Sequence, residues 1–99
     1  MVVKAVVLEK SPQLIIDADG LNALARDMDF YQKLLLSRRL RGLEPAILTP
    51  HPGEFSRLAP DLDWSDRQFA AAQLAARLDS IVLLKGASTV IAHPDGRVW

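Results

Sequence analysis

Leu48-Thr49-Pro50-His51-Pro52-Gly53-Glu54-Phe55 follows the apolar run Ala46-Ile47-Leu48 and leads into the amphipathic segment Glu54-Phe55-Ser56-Arg57-Leu58. It reads as the turn from a strand end into a helix. Each proline fixes φ and removes an N–H, and Gly53 opens backbone geometries closed to other residues, so a rigid turn is predicted in which His51 and Glu54 are held outward. Open α/β sheets bind ligands in the crevice beyond the carboxyl ends of their strands, and this turn occupies such an end.

Working outward, two more short apolar runs end in polar chemistry. Leu14-Ile15-Ile16 follows a break at Ser11-Pro12 and runs into Asp17-Ala18-Asp19-Gly20, where a strand hands over to the segment Leu21-Asn22-Ala23-Leu24-Ala25. Asp19 there is either the N-cap of that helix or, with Asp17 and Asn22, part of the same carboxyl edge as His51. Ile81-Val82-Leu83-Leu84 is followed at once by Lys85-Gly86-Ala87-Ser88-Thr89. These continuous runs fit parallel strands buried on both faces. Strands alternating with helices then argue for a single α/β domain with a parallel sheet and right-handed crossovers. Three polar strand ends on one edge would make a crevice.

The intervening helices are predicted from spacing and caps. From Asp27 to Leu43 the residues Phe30, Leu34, Leu35 and Leu40 mark a helical face, with Gly42 as its stop. A helix capped by Asp63 or Ser65 runs to about Leu78, with Phe69, Ala72, Leu74, Ala75 and Leu78 at helical spacing and Asp66 in its first turn. Val90-Ile91-Ala92 and Arg97-Val98-Trp99 flank His93-Pro94-Asp95-Gly96, a strong hairpin signal, with His93 a solvent-facing turn residue. Val2 to Leu8, apolar except for Lys4, reads as a buried helix in preference to a strand.

At the strand ends the residue types suggest anion binding. An ammonium at Lys85, backbone N–H groups beside Gly86, and the Ser88 and Thr89 hydroxyls are what a phosphate or pyrophosphate needs, although the glycine and lysine spacing of a Walker A loop is absent. His51 could serve as a general base, as a donor to a polar ligand, or simply as a capping residue. Glu54 falls in a first helical turn, where a structural carboxylate is favoured anyway.

Composition excludes several classes. Among 99 residues, 12 basic and 12 acidic side chains cancel, so no broad positive field for nucleic acid is present. The cluster Arg38-Arg39-Leu40-Arg41 reads as the solvated face of a helix near its C-terminus. With no cysteine, disulfides and thiolate metal sites are excluded. His51 and His93 have no metal-ligand spacing between them. No apolar run approaches the ~20 residues of a membrane span, so a cytoplasmic setting with no membrane partner is the default expectation.

Asp17-Ala18-Asp19-Gly20-Leu21-Asn22-Ala23-Leu24, Leu48-Thr49-Pro50-His51-Pro52-Gly53-Glu54 and Leu84-Lys85-Gly86-Ala87-Ser88-Thr89-Val90-Ile91-Ala92, in this order, resemble the ADP- or ATP-dependent NAD(P)H-hydrate dehydratases. The resemblance covers Leu14 to the C-terminus. It implies an α/β fold, a three-layer ribokinase-like parallel sheet with flanking helices and a C-terminal β-hairpin. It also implies an enzyme that returns hydrated NADH or NADPH to the normal cofactor, nucleotide hydrolysis driving the loss of water. Carried onto this chain, it places His51, with Asp19 and Asn22, beside the hydrated nicotinamide nucleotide. Lys85, Gly86, Ala87, Ser88 and Thr89 would hold the phosphate region of ADP or ATP. Glu54 would act near Mg²⁺ and phosphate, as the acidic member of an Asn-x-x-Glu motif of related kinases in which His51 replaces Asn.

The family's glycine-rich segment ending in Gly-Asp, which supplies the catalytic acid or base, has no counterpart before Trp99, and neither do its N-terminal glycine-bearing strands. Residues 1–99 are therefore expected to be a single partial ribokinase-like domain truncated at both ends, with no catalytic residue of its own and no turnover alone. Two alternatives stay open. One is a small-molecule kinase of the same superfamily, disfavoured by His51 in place of Asn. The other is a non-catalytic interaction module whose unpaired strand edges would lead it to homo-oligomerise.

Overall fold

The computed structural model describes residues 13–63 and 65–99. The helix expected over Val2 to Leu8 and the break at Ser11-Pro12 lie outside them. Strand β1 (Ile15–Ile16) leads into helix α1 (Asp19–Arg26) and then α2 (Met28–Leu40); β2 (Ile47–Leu48) leads into α3 (Pro52–Leu58) and α4 (Arg67–Leu78); β3 (Ile81–Leu84) and β4 (Val90–Ala92) close the chain. The sheet order is β1-β2-β3-β4, with the first three parallel and β4 antiparallel to β3. The five residues Lys85 to Thr89 are too few for a parallel crossover, which needs a dozen or more, so they connect a β-hairpin.

Register sorts the strand residues into two faces. Ile16, Leu48, Val82, Leu84, Val90 and Ala92 are buried on one, while Ile15, Ile47, Ile81, Leu83 and Ile91 share the other. The strands are thus not buried on both faces by the described residues: Ile15 is 68% exposed. The reason is topological. When parallel strands are added in one direction by right-handed crossovers, every connecting helix falls on the same face. The described residues accordingly form a mixed α/β layer pair, a four-stranded sheet with helices against one side.

Helix α4 packs on β3 and β4, α2 on α4, and α1 on α3. The buried face of α4 is Ala70, Ala71, Leu74, Ala75 and Leu78, whose alanines allow close approach to the sheet. Phe69, expected inward, is 55% exposed because this alanine stripe and not the aromatic faces the strands. The N-cap is Asp66, whose carboxylate accepts from the Phe69 N–H at 3.0 Å, while Asp63 accepts from the Ser65 N–H. The expected cap at Asp63 or Ser65 is corrected accordingly.

In α2 the buried face is Tyr31, Leu35 and Arg38, an i, i+4, i+7 stripe, and Phe30 and Leu40 turn outward. Arg38 is fully buried, donating from Nη2 to the Glu44 carbonyl at 3.0 Å, and burial pushes its pKa down. The basic cluster is therefore not wholly solvated; Arg39 pairs with Asp79 at 3.4 Å. Gly42 ends the helix as read from sequence. Its φ of 80° lets the Leu43 N–H reach the Arg38 carbonyl (3.0 Å) and its own N–H the Arg39 carbonyl (3.0 Å), a Schellman closure.

The C-terminal hairpin forms around Gly96 at φ 102°, with mutual bonds between Ile91 and Trp99 at 2.8 and 3.0 Å. Its second arm is reduced to the bridge Ala92 to Val98. His93 is more covered than a solvent-facing residue, because its Nδ1 accepts from the Asp95 N–H at 3.1 Å and so folds it into the turn.

Candidate functional site at the strand ends

Parallel pairing of β1, β2 and β3 brings their three carboxyl ends to one edge. The backbone ties them: the Thr49 N–H donates to the Ile16 carbonyl at 3.2 Å, and the Lys85 N–H to the Pro50 carbonyl at 2.9 Å. Across the top, Lys85 Nζ lies 3.6 Å from Asp17 Oδ1. The Thr49 hydroxyl foremost, then the Ala18 N–H and the Lys85 ammonium, hold the Asp17 carboxyl below its ordinary value against the opposing effect of burial. Ala18, at φ 46°, aims that N–H at Asp17 Oδ1 over 2.9 Å; a non-glycine residue with positive φ is a strained turn, and it stands in the middle of this edge.

His51 and Glu54 are not both held outward. His51 is the N-cap of α3, its Nδ1 accepting from the Glu54 N–H at 3.2 Å, while Glu54 Oε1 accepts from the His51 N–H at 3.0 Å. This reciprocal capping box draws the Glu54 carboxylate inward, to 7% exposure, and leaves the imidazole edge half exposed, with Nε2 3.6 Å from Glu54 Oε2. Gly53 contributes through space and not through an unusual φ. A Cβ there would stand 3.0 Å from His51 Cε1, so any larger residue would push the ring back by a few tenths of an ångström from its place over the helix start.

The other sequence-derived residues divide. Asp19 is exposed in the first turn of α1, and the position before the helix is Ala18, so the cap role read for Asp19 is replaced by a first-turn carboxylate. Asn22 faces α3, its side-chain oxygen accepting from Arg57 Nε at 3.2 Å, away from the Lys85 pair. Gly86, Ala87, Ser88 and Thr89 form an exposed loop. Their N–H groups make no hydrogen bond with another described residue. Such amides beside an ammonium fit a phosphate group.

Two contributors were not singled out from the sequence: Thr49, behind Asp17, and Arg67, at the start of α4. Arg67 Nη2 sits against the carbonyls of Leu84 (3.3 Å), Lys85 (3.3 Å) and Ser88 (3.1 Å). For Thr49 the signal was present, a hydroxyl directly before Pro50-His51. A single arginine at a helix start carries none until the carbonyls it meets are known.

No group of three or more metal-ligating side chains occurs among the described residues. Glu54 already spends Oε1 on its cap, so the edge does not fit an all-protein metal cage.

The family model for NAD(P)H-hydrate dehydratase matches residues 1–99. The chain belongs to that family. Among NAD(P)H-hydrate dehydratase relatives, a bifunctional NAD(P)H-hydrate repair enzyme of Synechocystis is 50% identical over 94% of this chain, and the enzyme of the same description from Gloeobacter violaceus is 46% identical over 92%. The chain spans 17% and 16% of those two proteins. An ADP/ATP-dependent NAD(P)H-hydrate dehydratase of Bacillus subtilis, co-crystallised with ATP and Mg²⁺, superposes with a TM-score of 0.61 at 35% identity, covering 88% of this chain and 28% of that one. A ribokinase-like superfamily protein of Enterococcus faecalis shares the fold at 22% identity and a TM-score of 0.54. The fold is therefore ribokinase-like, as the resemblance implied. Among the described residues no helix is long and apolar enough to cross a membrane.

Proposed function

We propose that the chain carries the nucleotide-handling part of nicotinamide nucleotide repair: the nucleotide-dependent dehydration of hydrated NADH or NADPH, a lyase reaction, in the cytoplasm. The observation that supports this most is the exposed loop of Gly86, Ala87, Ser88 and Thr89, whose amides bond no other described residue, beside Lys85 on the same edge as His51. Lys85 and these amides would take the phosphates of ADP or ATP with its Mg²⁺, whose hydrolysis supplies the driving force for loss of water. The half-exposed His51 imidazole would meet the hydrated nicotinamide nucleotide, its orientation fixed by the cap to Glu54. Glu54 holds that histidine in place and sits near the phosphates without being open enough to ligate an ion by itself. Asp17, opposite Lys85, balances the ammonium until a phosphate replaces it. Asp19 and Asn22 would line the outer rim.

Calorimetric titration of the protein tests the reading. Hydrated NADH, added in the presence of ATP and Mg²⁺, should bind, and His51→Ala should weaken that binding while leaving ATP binding in place. Absence of hydrate binding, or equal binding by His51→Ala, would overturn the assignment.

A further inference from the structure

The guanidinium of Arg67 points to a role that the strand-end motifs do not contain. It stands at the first position of α4, and among the described residues it pairs with no carboxylate. Its Nη2 is shared among three carbonyl oxygens of one hairpin connection: Leu84 at 3.3 Å, Lys85 at 3.3 Å and Ser88 at 3.1 Å. Nη2 carries two N–H groups, so the three carbonyls share two hydrogens, at least one of them bifurcated, around one positive charge.

Peptide geometry gives those contacts a consequence. In a trans peptide the C=O and the following N–H point in opposite directions. Drawing the Leu84 carbonyl toward Arg67 turns the Lys85 N–H the other way, and that N–H does reach the Pro50 carbonyl at 2.9 Å. By the same rule the Lys85 and Ser88 carbonyls, held by Arg67, turn the Gly86 and Thr89 N–H groups away from it. Those are amides of the loop assigned above to phosphate. Gly86 completes the arrangement: a Cβ there would stand 2.7 Å from Arg67 Nη2 and 3.2 Å from Cζ, so the guanidinium occupies the space that a side chain would need.

We propose that Arg67 is the positioning residue of the phosphate loop, its guanidinium orienting the Gly86 and Thr89 amides toward bound nucleotide, with Gly86 present to admit it. The inference rests on the nucleotide reading of that loop. It assigns no contact between Arg67 and the nucleotide.

The test is a double-mutant cycle read as the affinity for ATP with Mg²⁺, with unfolding midpoints measured in parallel. Arg67→Ala should weaken binding about tenfold, the order set by losing hydrogen bonds from a charged donor. Gly86→Ala, which displaces the flexible arginine and leaves its charge present, should weaken it similarly. The double variant should be no weaker than Arg67→Ala alone, because both changes remove one clamp. Arg67→Lys, which keeps the charge but ends one bond short of the position of Nη2, should restore little. Wild-type affinity in Arg67→Ala or Gly86→Ala, full rescue by Arg67→Lys, or additive losses in the double variant would each overturn the clamp while leaving the nucleotide site standing. If the wild-type protein takes up no ATP, the nucleotide reading itself fails and the proposal falls with it.

Discussion

Replacing His51 separates what holds the site together from what the site does. The imidazole Nδ1 accepts from the Glu54 N–H at 3.2 Å, and the Glu54 carboxylate returns a bond to the His51 N–H at 3.0 Å. Helix α3 has only seven residues, well short of the ~12–15 at which a helix becomes marginally stable alone, so its ends and its buried Phe55 and Leu58 must hold it. His51→Ala removes the acceptor and keeps the backbone N–H that Glu54 binds. The loss is then about 1 kcal/mol, the usual size of an N-cap deletion. In a domain of this size that lowers the thermal midpoint by about 4–8 °C. Asparagine is at least as good an N-cap, so His51→Asn should keep stability within about 0.5 kcal/mol of wild type. Thermal unfolding followed by circular dichroism measures both. An His51→Asn protein as unstable as His51→Ala would refute the cap as the reason for this geometry, and so would an unshifted midpoint in His51→Ala.

Further expectations concern the edge and its support. Asp17 should titrate below its ordinary value by carbon-detected NMR, and Thr49→Val and Lys85→Met should each raise its midpoint, the Thr49 hydroxyl foremost and then Lys85 holding the carboxylate charged. Because the folded pKa is depressed, the stability linked to Asp17 is present above the unfolded value and fades as pH falls through the folded one; acid unfolding of Thr49→Val should show that low-pH dependence reduced. Gly42→Ala should cost about 1–2 kcal/mol in urea unfolding, since φ 80° forces a side chain into the left-handed region. Leu74→Ala, at a fully buried position of α4, should cost about 2–5 kcal/mol by the same assay.

Much of the architecture was legible because punctuation and short apolar runs do not depend on context. The strands at Ile15, Ile47 and Ile81, the stop at Gly42 and the Asp95-Gly96 turn all sit where the local residues put them. Which side of a helix faces the sheet depends on context. Phe30, Leu40 and Phe69 look like core residues in isolation, yet Tyr31, Leu35 and Arg38 form the inner stripe of α2, and alanines that of α4. Burial of both sheet faces also could not be read from apolar runs, since strand order decides where the crossover helices go. At the site, the motifs identified His51, Glu54 and the Lys85 loop by type. The inward turn of Glu54, the pairing of Asp17 with Lys85 and the Arg67 clamp are long-range contacts with no local signature.

The central claim, that this edge receives the phosphates of an adenine nucleotide, is tested most directly by titrating the protein with ATP and Mg²⁺ and repeating the titration with Lys85→Ala. The account predicts binding to the wild-type chain, weakened roughly 10-fold to 100-fold by loss of a charged donor to phosphate. Equal affinity in the variant, or no uptake of ATP or ADP by the wild-type protein, would contradict it.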